Sequence, residues 1–118
     1  MNAVINPLTA LLDVCNGAIL HSPSYAIIAR NIVTEGVQAA ACCGVSLNVE
    51  ECLQRVHLVA EQTAGNVSSM LADIRKKNKT EIDFMNGYIC KIGEKHGLST
   101  PFNLLMTSLI HMKEQSIV

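Results

Sequence analysis

The sequence KTEIDFMNGYICKIGEKHG at residues 79–97 contains the most complete helix signature in the chain. Thr80 is followed three residues later by Asp83, a spacing that predicts a capping box, in which each side chain accepts a hydrogen bond from an unpaired backbone amide. Gly97 predicts the end of the helix, because glycine adopts the left-handed conformation of a C-cap at little cost. Between them, apolar residues recur at steps of three and four, as on one buried helix face. These positions are Ile82, Met85, Ile89 and Ile92.

Three residues of this stretch are not required by capping or by an apolar face. Glu81 lies in the predicted first turn, where its charge suits the helix dipole, but it could equally hold a ribose hydroxyl or a lysine. Asn86 and Gly87 lie inside the predicted helix, where neither residue type is favoured. We interpret Asn86 and Gly87 as positions of close helix packing.

The rest of the chain contains further helix signatures separated by short segments. Asn6-Pro7 admits two interpretations. In the favoured one, Asn6 caps a helix that has Pro7 in its first turn; in the other, Pro7 kinks a longer helix that starts upstream. The other predicted boundaries are a stop at Asn16-Gly17, a helix from Ser22-Pro23 to Cys43, one from Asn48 to about Ala64, a shorter one capped by Asn66, and a last one from Thr100-Pro101.

Helical spacing also predicts which faces are buried. On the helix that follows Ser22-Pro23, it leaves Glu35 on the solvent side with four other polar residues. On the last helix, it places Phe102 and Leu105 on the buried face. The other members of that predicted face are Met106, Leu109 and Ile110.

The amino-acid composition also favours a helical fold. Apolar residues make up 49% of the chain and aromatic residues only 3%, so the core must consist of Leu, Ile, Val, Ala and Met, a mixture that favours packed helices over a sheet. We therefore predict one all-α domain over residues 1–118, a bundle of six to seven helices. No glycine-rich GxGxxG turn occurs, so these residues cannot hold a dinucleotide in the Rossmann manner.

Charge, hydropathy and cysteine content argue against several classes of protein. The net charge is −1 and the only basic run lies at residues 75–79, so we expect no nucleic-acid partner. No apolar run approaches the ~20 residues of a membrane span, and no signal-peptide pattern is present, so we expect a cytoplasmic protein without a membrane partner. The five cysteines and four histidines show no metal-ligand spacing, so we expect no metal site. We interpret the cysteines as small buried side chains in a reducing compartment.

Two polar clusters could bind a small ligand. Asn2 and Asn6 are four residues apart, so on a continuous helix their amides lie on the same face. Asn66, Ser68 and Ser69 start a predicted helix, where free backbone amides favour a carboxylate or a phosphate. For each cluster, a purely structural role as a cap or a solvated residue is the favoured local alternative. His57 and His111 lie inside predicted helices without a nearby Asp or Cys at a suitable spacing, so we expect no catalytic histidine.

Five short blocks of sequence are recognisable when they are read together. They are residues 2–11 (NAVINPLTAL), 16–17 (NG), 66–75 (NVSSMLADIR), 79–87 (KTEIDFMNG), and 96–97 (HG) with Pro101. In this order and spacing, they resemble the C-terminal domain of ketopantoate reductase (2-dehydropantoate 2-reductase) over essentially the whole chain. The resemblance implies the helical fold shared with 6-phosphogluconate dehydrogenase-like proteins.

The resemblance also implies a function. The complete enzyme of this family reduces 2-dehydropantoate to pantoate with NADPH, on the route to pantothenate and coenzyme A. An N-terminal Rossmann domain holds the cofactor, and the helical domain completes the substrate side of the cleft between the two. By their match to the family motifs, Asn2, Asn6, Asn16 and Ser69 are expected to bind substrate, and Glu81 is expected to lie near the cofactor.

The sequence departs from the family pattern at its start. The general-acid lysine is expected one helical turn before Asn2, but the sequence begins at Met1, so we assign no catalytic residue. Without the cofactor domain, we expect the chain alone to bind no NADPH and to have no reductase activity. Without the Rossmann domain, part of the apolar surface that packs against it would be exposed, and such surfaces commonly contact another chain. We therefore expect a homo-oligomer, most simply a two-fold dimer. The alternatives are a non-catalytic helical dimerisation or interaction module, and a relative that acts on another 2-keto acid.

Overall fold

The computed structural model describes residues 2–116, which contain six α-helices and two short 3-10 helices. The α-helices are α1 (Asn2–Leu12), α2 (Tyr25–Cys42), α3 (Val49–Gln62), α4 (Ser69–Arg75), α5 (Asn86–His96) and α6 (Pro101–Glu114). One 3-10 helix, Asn16–His21, follows α1, and the other, Ile82–Phe84, precedes α5. No β-strand occurs in residues 2–116, and the predicted all-α fold is confirmed.

Helix α1 continues through Pro7, so the favoured interpretation of Asn6 as its N-cap is wrong. Proline has no backbone N–H, and the Ala3 carbonyl therefore lacks its regular partner four residues ahead. The helix ends before Asp13, which has a φ of 57°. Asn16-Gly17 is consequently not the stop of α1 but the start of the first 3-10 helix.

Glu35 on α2 is buried, with 7% of its surface exposed, although helical spacing placed it on the solvent side. Its two carboxylate oxygens accept hydrogen bonds from the backbone amides of Phe102 and Asn103, each at 2.9 Å. These amides belong to the first turn of α6, where no intrahelical acceptor is available. Glu35 therefore caps a helix that lies 67 residues further along the chain.

The caps of α3 and α4 give opposite outcomes for the sequence predictions. At α3, the side chain of Asn48 accepts a hydrogen bond from the Glu51 amide at 3.0 Å, and the predicted cap is confirmed. At α4, the N-cap is Ser68, whose hydroxyl oxygen accepts a hydrogen bond from the Leu71 amide at 3.1 Å. The prediction that Asn66 caps this helix is therefore wrong.

The stretch at residues 79–97 forms two helical segments rather than one continuous helix. After the 3-10 helix Ile82–Phe84, Met85 has φ −117° and ψ −98°, outside the α-helical region, so α5 begins only at Asn86. The predicted stop is confirmed, because Gly97 adopts the left-handed conformation with φ 73°. The break brings Asn86 to the first position of a helix instead of its middle.

Two contacts hold the segment before α5 against α6. The backbone amide and the hydroxyl of Thr80 both donate to one carboxylate oxygen of Glu114, at 2.8 and 2.6 Å, so Thr80 is not the α-helix cap that its spacing from Asp83 predicted. Asp83 instead lies 2.7 Å from Nε2 of His111. The expectation that His111 lacks an Asp partner is therefore wrong. This partner was missed because Asp83 lies 28 residues away in sequence.

The core consists of two apolar clusters that share α1. The first contains Val4, Ile5, Leu8, Ile19, Ala29, Ile32, Val56, Ala60 and Met106, and the second contains Ala10, Met70, Leu71, Ile82 and Ile110. The predicted buried face of α6 is confirmed at Met106 and Ile110 and is wrong at its other end. Phe102 and Leu105 are 36% and 51% exposed, whereas Asn103 and Thr107 are buried. The Asn103 side chain donates to Glu35 on α2, and the Thr107 hydroxyl donates to the Asn103 carbonyl one turn earlier in α6.

The cysteines are free thiols, but none of them is fully buried. Four are partly exposed and Cys43 is exposed, so their interpretation as buried side chains is wrong. Within residues 2–116, no helix combines the length and the apolar character needed to cross a lipid bilayer.

Candidate functional site

Two of the predicted substrate-binding side chains meet where α1 passes the start of α4. Asn6, which is 8% exposed, directs its side-chain nitrogen toward the hydroxyl oxygen of Ser69 at 3.5 Å. Ser69 is exposed at the first position of α4. Asn2 is also exposed and lies one turn before Asn6 on the same face of α1. We call Asn2, Asn6 and Ser69 the α1–α4 polar cluster.

Two buried hydroxyls hold α1 and α4 together beneath this cluster. The oxygens of Thr9 and Ser68 are 2.7 Å apart, and the two residues are 0% and 4% exposed. The Thr9 hydroxyl also lies 2.7 Å from the Ile5 carbonyl, to which it donates, so the Ser68 hydroxyl donates to Thr9. The sequence indicated no role for Thr9, and it favoured Ser68 as a solvated residue over a ligand contact. That prediction for Ser68 is wrong, because Ser68 is buried as the cap of α4. A pairing across 59 residues leaves no local sequence signal.

Asn16 is bound to the connection between α3 and α4. Its side-chain nitrogen donates to the Thr63 hydroxyl at 3.0 Å, and its backbone amide donates to the Asn66 carbonyl at 3.0 Å. The amide orientation follows from Thr63, whose own proton goes to the Val59 carbonyl, so that its oxygen can only accept. The side-chain oxygen of Asn16 is buried and has no hydrogen-bond partner among the described residues. No hydrogen bond joins Asn16 to the α1–α4 polar cluster within residues 2–116.

Glu81 is exposed, and its carboxylate forms no hydrogen bond or ion pair within the described part of the chain. It is the N-cap residue of the second 3-10 helix, where its backbone carbonyl accepts a hydrogen bond from the Phe84 amide at 2.9 Å. The structure does not join Glu81 to the α1–α4 polar cluster by a hydrogen bond. Its carboxylate is available to a hydroxyl or amine of another molecule.

The chemistry of the α1–α4 polar cluster is that of neutral donors and acceptors. Each amide offers two N–H donors and an acceptor oxygen, and the hydroxyl can act in either sense. None of these groups exchanges a proton near neutral pH, so the cluster supplies no general acid or base. Among residues 2–116, no set of three or more His, Cys, Asp and Glu side chains is arranged to hold a metal ion. The cluster can therefore bind and orient a small polar molecule.

The sequence of the chain matches a protein-family model over nearly its full length. The model is described as "Ketopantoate reductase PanE/ApbA C terminal", and the match covers residues 1–114. The chain belongs to this family. The resemblance carried by the five sequence blocks is therefore confirmed, and the six α-helices are those of a ketopantoate reductase C-terminal domain.

Curated relatives from the ketopantoate reductase family align with almost the whole chain. A 2-dehydropantoate 2-reductase of Archaeoglobus fulgidus is 37% identical over 117 residues, which are 99% of this chain and 39% of that protein. A 2-dehydropantoate 2-reductase of Pyrobaculum aerophilum is 40% identical over 117 residues, which are 97% of this chain and 40% of that protein. The chain thus spans about two-fifths of the length of the curated relatives it matches.

Solved structures agree with this family fold. A D-mandelate dehydrogenase, in a ternary structure with NADH and anilino(oxo)acetate, superposes with a TM-score of 0.93 at 31% identity over 97% of this chain and 48% of that one. A probable 2-dehydropantoate 2-reductase of Bacillus subtilis superposes with a TM-score of 0.83 at 36% identity, over 95% of this chain and 37% of that one.

Proposed function

We propose that residues 1–118 form the substrate-side domain of an NADPH-dependent 2-dehydropantoate 2-reductase, which reduces 2-dehydropantoate to pantoate in pantothenate and coenzyme A biosynthesis. The observation that carries this proposal is the α1–α4 polar cluster, in which Asn6 and Ser69 approach to 3.5 Å although they are 63 residues apart. The cluster occurs in a chain that is 37% to 40% identical to proteins named 2-dehydropantoate 2-reductase.

The substrate chemistry fits neutral hydrogen-bonding groups. 2-Dehydropantoate carries a carboxylate, a keto oxygen and a hydroxyl, which together need several donors and one acceptor. Asn2, Asn6 and Ser69 offer such groups on one surface, and Asn16 is the fourth proposed substrate residue. A site built to pair a hydroxyl rejects an analogue without one, because a polar group then stays unpaired.

Binding of the proposed cofactor requires residues beyond those of this helical domain. NADPH, when bound, supplies the hydride that reduces the keto carbon. The free carboxylate of Glu81 suits a ribose hydroxyl, and we propose it as the contact of this domain with the cofactor. Residues 2–116 contain no strand from which a glycine-rich dinucleotide turn could start. We therefore propose that a Rossmann domain of the complete protein holds the cofactor.

A ligand titration tests the substrate assignment. We expect pantoate, added to the 15N-labelled chain, to shift the side-chain amide signals of Asn2 and Asn6 and the backbone amide of Ser69. The analogue of pantoate that lacks the terminal hydroxyl should cause smaller shifts at equal concentration. Absence of any shift at Asn6 and Ser69 would favour the alternative function, a non-catalytic helical dimerisation or interaction module.

An activity assay tests whether this domain needs the Rossmann domain for catalysis. We expect residues 1–118 alone, purified free of host reductase, to cause no oxidation of NADPH with 2-dehydropantoate. The physical reason is that hydride transfer needs the nicotinamide held against the substrate carbon. Turnover by the isolated chain would contradict this proposal, while the ligand titration would still test substrate binding.

A second candidate substrate class is suggested by the solved structures. The chain superposes on a D-mandelate dehydrogenase bound to NADH with a TM-score of 0.94 at 31% identity. A 2-keto acid with an aromatic substituent would therefore suit the same fold. Titration with D-mandelate discriminates the two candidates, because we expect pantoate to bind at least tenfold more tightly if its terminal hydroxyl is paired, a difference of about 1.4 kcal/mol.

We also propose that the chain forms a homo-oligomer, most simply a two-fold dimer. Three large side chains, Phe84, Tyr88 and Leu104, are 81%, 55% and 57% exposed, and they line one concave surface beside α5 and α6. Exposed apolar surface of this kind commonly contacts another chain. Sedimentation should show a dimer that dissociates in a Phe84→Ser variant. A monomer at high concentration would contradict the proposal.

A further inference from the structure

A chain of buried polar groups crosses the molecule from α2 to α1. The Glu35 carboxylate accepts a hydrogen bond from the Asn103 side-chain nitrogen at 2.8 Å. The Asn103 oxygen in turn accepts one from the Asn86 side-chain nitrogen at 3.0 Å, and that nitrogen also donates to the Ala3 carbonyl at 2.9 Å. Asn86 and Asn103 are both 0% exposed. We call this series of hydrogen bonds, from Glu35 through Asn103 and Asn86 to the Ala3 carbonyl, the buried amide relay.

The direction of each amide in the relay follows from its neighbours. Glu35 caps α6 as an acceptor of N–H groups, so the nitrogen of Asn103 must face it. The oxygen of Asn103 therefore faces Asn86, which must present its nitrogen. Both protons of that nitrogen are then used, one for Asn103 and one for Ala3. The oxygen of Asn86 is left buried without a partner among the described residues.

The relay ends at the point where α1 lacks one backbone hydrogen bond. In a regular helix, the Ala3 carbonyl would accept a hydrogen bond from the amide of residue 7. Residue 7 is a proline, which has no N–H, and it lies inside the helix with its side chain fully buried. The relay supplies from α5 the donor that α1 lacks.

We propose that Asn86 is a positioning residue for the first turn of α1. Ala3, whose carbonyl it holds, follows Asn2 directly and lies on the same turn as Asn6. This inference rests on the proposed function of Asn2 and Asn6 as substrate-binding residues. Asn86 does not itself reach the ligand, because its side chain is fully buried. It acts by fixing the backbone that carries the two ligand-binding amides.

The proline makes a direct test possible. Asn86→Ala removes the donor to the Ala3 carbonyl, while Pro7→Ala restores a backbone amide at that position, which can donate to the same carbonyl. The double variant should therefore recover the order of the first turn. Asn86→Ala also leaves the Asn103 oxygen unpaired, but this loss is the same with or without the proline and cancels in the double-mutant cycle.

The first readout is amide hydrogen exchange within α1. The amides of Asn6 and Leu8 report on the turns that include Asn2 and Val4, to which they are paired by helical geometry. We expect Asn86→Ala to accelerate their exchange about tenfold with Pro7 present and less than about threefold in the Pro7→Ala background, because the carbonyl then has a second donor. Equal acceleration in both backgrounds would overturn the proposal.

The Pro7→Ala single variant gives a measurement that does not depend on Asn86→Ala folding. In this variant, the backbone amide introduced by the substitution should be protected from exchange, and the side-chain protons of Asn86 should exchange faster because two donors share one carbonyl. If the introduced amide is protected while the side-chain protons of Asn86 exchange at an unchanged rate, Asn86 does not hold the Ala3 carbonyl, and the proposal fails. Ile110→Val is the control, since Ile110 is an apolar member of the second core cluster and forms none of the relay's hydrogen bonds.

The second readout is pantoate affinity. Asn86→Ala should weaken binding about tenfold, Pro7→Ala/Asn86→Ala should recover to within about threefold of Pro7→Ala, and Ile110→Val should change binding less than about twofold. Affinity that follows global stability across all variants would contradict a positioning role. If the unsubstituted chain binds no pantoate, the proposed function fails for the isolated chain. The exchange readout then still decides whether Asn86 orders the first turn of α1.

Discussion

The carboxylate of Glu35 accepts two hydrogen bonds from Asn103, one from its backbone amide at 2.9 Å and one from its side-chain amide at 2.8 Å. This pair joins the middle of α2 to the first turn of α6, where free backbone amides need acceptors. It also orients the Asn103 side chain, from which the buried amide relay continues to α1. A single buried acid thus caps one helix and directs the polar contacts of two others.

Glu35→Gln should lower the free energy of unfolding by about 1.5–3 kcal/mol, because the amide nitrogen of Gln would face N–H donors that now bond to oxygen. Urea unfolding measures this change. Glu94→Gln on the exposed side of α5 is the matched control, and it should change stability by less than about 0.5 kcal/mol. Equal effects of the two substitutions would contradict the capping role of Glu35.

Two adjacent serines should separate stability from ligand binding. Ser68 caps α4 and bonds to Thr9, so Ser68→Ala should cost about 1–3 kcal/mol of stability. Ser69 is exposed, and within residues 2–116 its hydroxyl forms a hydrogen bond only with Asn6, so Ser69→Ala should cost less than about 0.5 kcal/mol. If the proposed function is correct, Ser69→Ala should weaken pantoate binding about tenfold and Ser68→Ala much less.

Urea unfolding and the pantoate titration together check this pair. The expected result is a crossed pattern, in which Ser68→Ala is the less stable variant and Ser69→Ala the weaker binder. A Ser68→Ala variant that is as stable as the unsubstituted chain would contradict the cap geometry. Unchanged pantoate affinity in Ser69→Ala would remove Ser69 from the proposed substrate site.

The two helix boundaries that the sequence predicted correctly have causes within a few residues. The Asn48 cap and the Gly97 stop are local, and both are confirmed by the structure. Glu35 was assigned to solvent because its partners lie on α6, beyond any window of helical spacing. The break at Met85 was missed for a similar reason, since Thr80 bonds to Glu114 on α6 instead of capping a helix.

The candidate site was only partly visible in the sequence. Spacing alone suggested that Asn2 and Asn6 share a helix face, but it favoured Asn6 as a cap, and the continuation of α1 through Pro7 overturned that interpretation. The family resemblance named Ser69 as a substrate residue, yet its approach to Asn6 depends on how α1 and α4 pack. Asn86 was recognised as unusual in the sequence, while its partners became visible only in the fold.

Gly17 marks a close backbone approach that an alanine cannot enter. A Cβ atom added at Gly17 would lie 2.5 Å from the Cβ and 2.8 Å from the Cα of Ala64, so the backbone must move. Gly17→Ala should therefore cost about 1–3 kcal/mol of stability, as overpacking of a fixed contact does. It should also shift the NMR signals of Asn16, the preceding residue. Thermal or urea unfolding with an amide spectrum measures both effects.

Gly65→Ala is the matched control for Gly17→Ala. No atom lies within 4 Å of a Cβ added at Gly65, and its backbone does not adopt a positive φ. Alanine there should leave stability unchanged or raise it by up to about 1 kcal/mol, because it restricts the unfolded chain. A loss of stability in Gly65→Ala equal to that in Gly17→Ala would show that the close contact with Ala64 is not the cause.

The hydroxyl of Tyr25 is buried and has no hydrogen-bond partner among residues 2–116. Burial raises the pKa of Tyr25 above its ordinary value of 10.0, because the ionised form loses solvation. Above that pH, the unfolded chain loses the tyrosine proton while the folded chain keeps it, so the unfolded state binds fewer protons. The contribution of Tyr25 to stability is therefore constant below about pH 10 and falls as the pH rises toward the folded-state pKa.

Tyr25→Phe should remove this decline in stability and should not lower stability at neutral pH, because the deleted hydroxyl makes no hydrogen bond in the fold. Urea unfolding at a series of pH values above neutrality measures the difference in stability between the variant and the unsubstituted chain, and contributions common to both proteins cancel in that difference. Tyr88→Phe is the control, since Tyr88 is 55% exposed, and it should keep the decline. A Tyr25→Phe variant that is less stable at neutral pH would mean that the hydroxyl has a partner, such as an ordered water. If the free energy of unfolding falls equally with pH in Tyr25→Phe and Tyr88→Phe, Tyr25 is not the source of the decline.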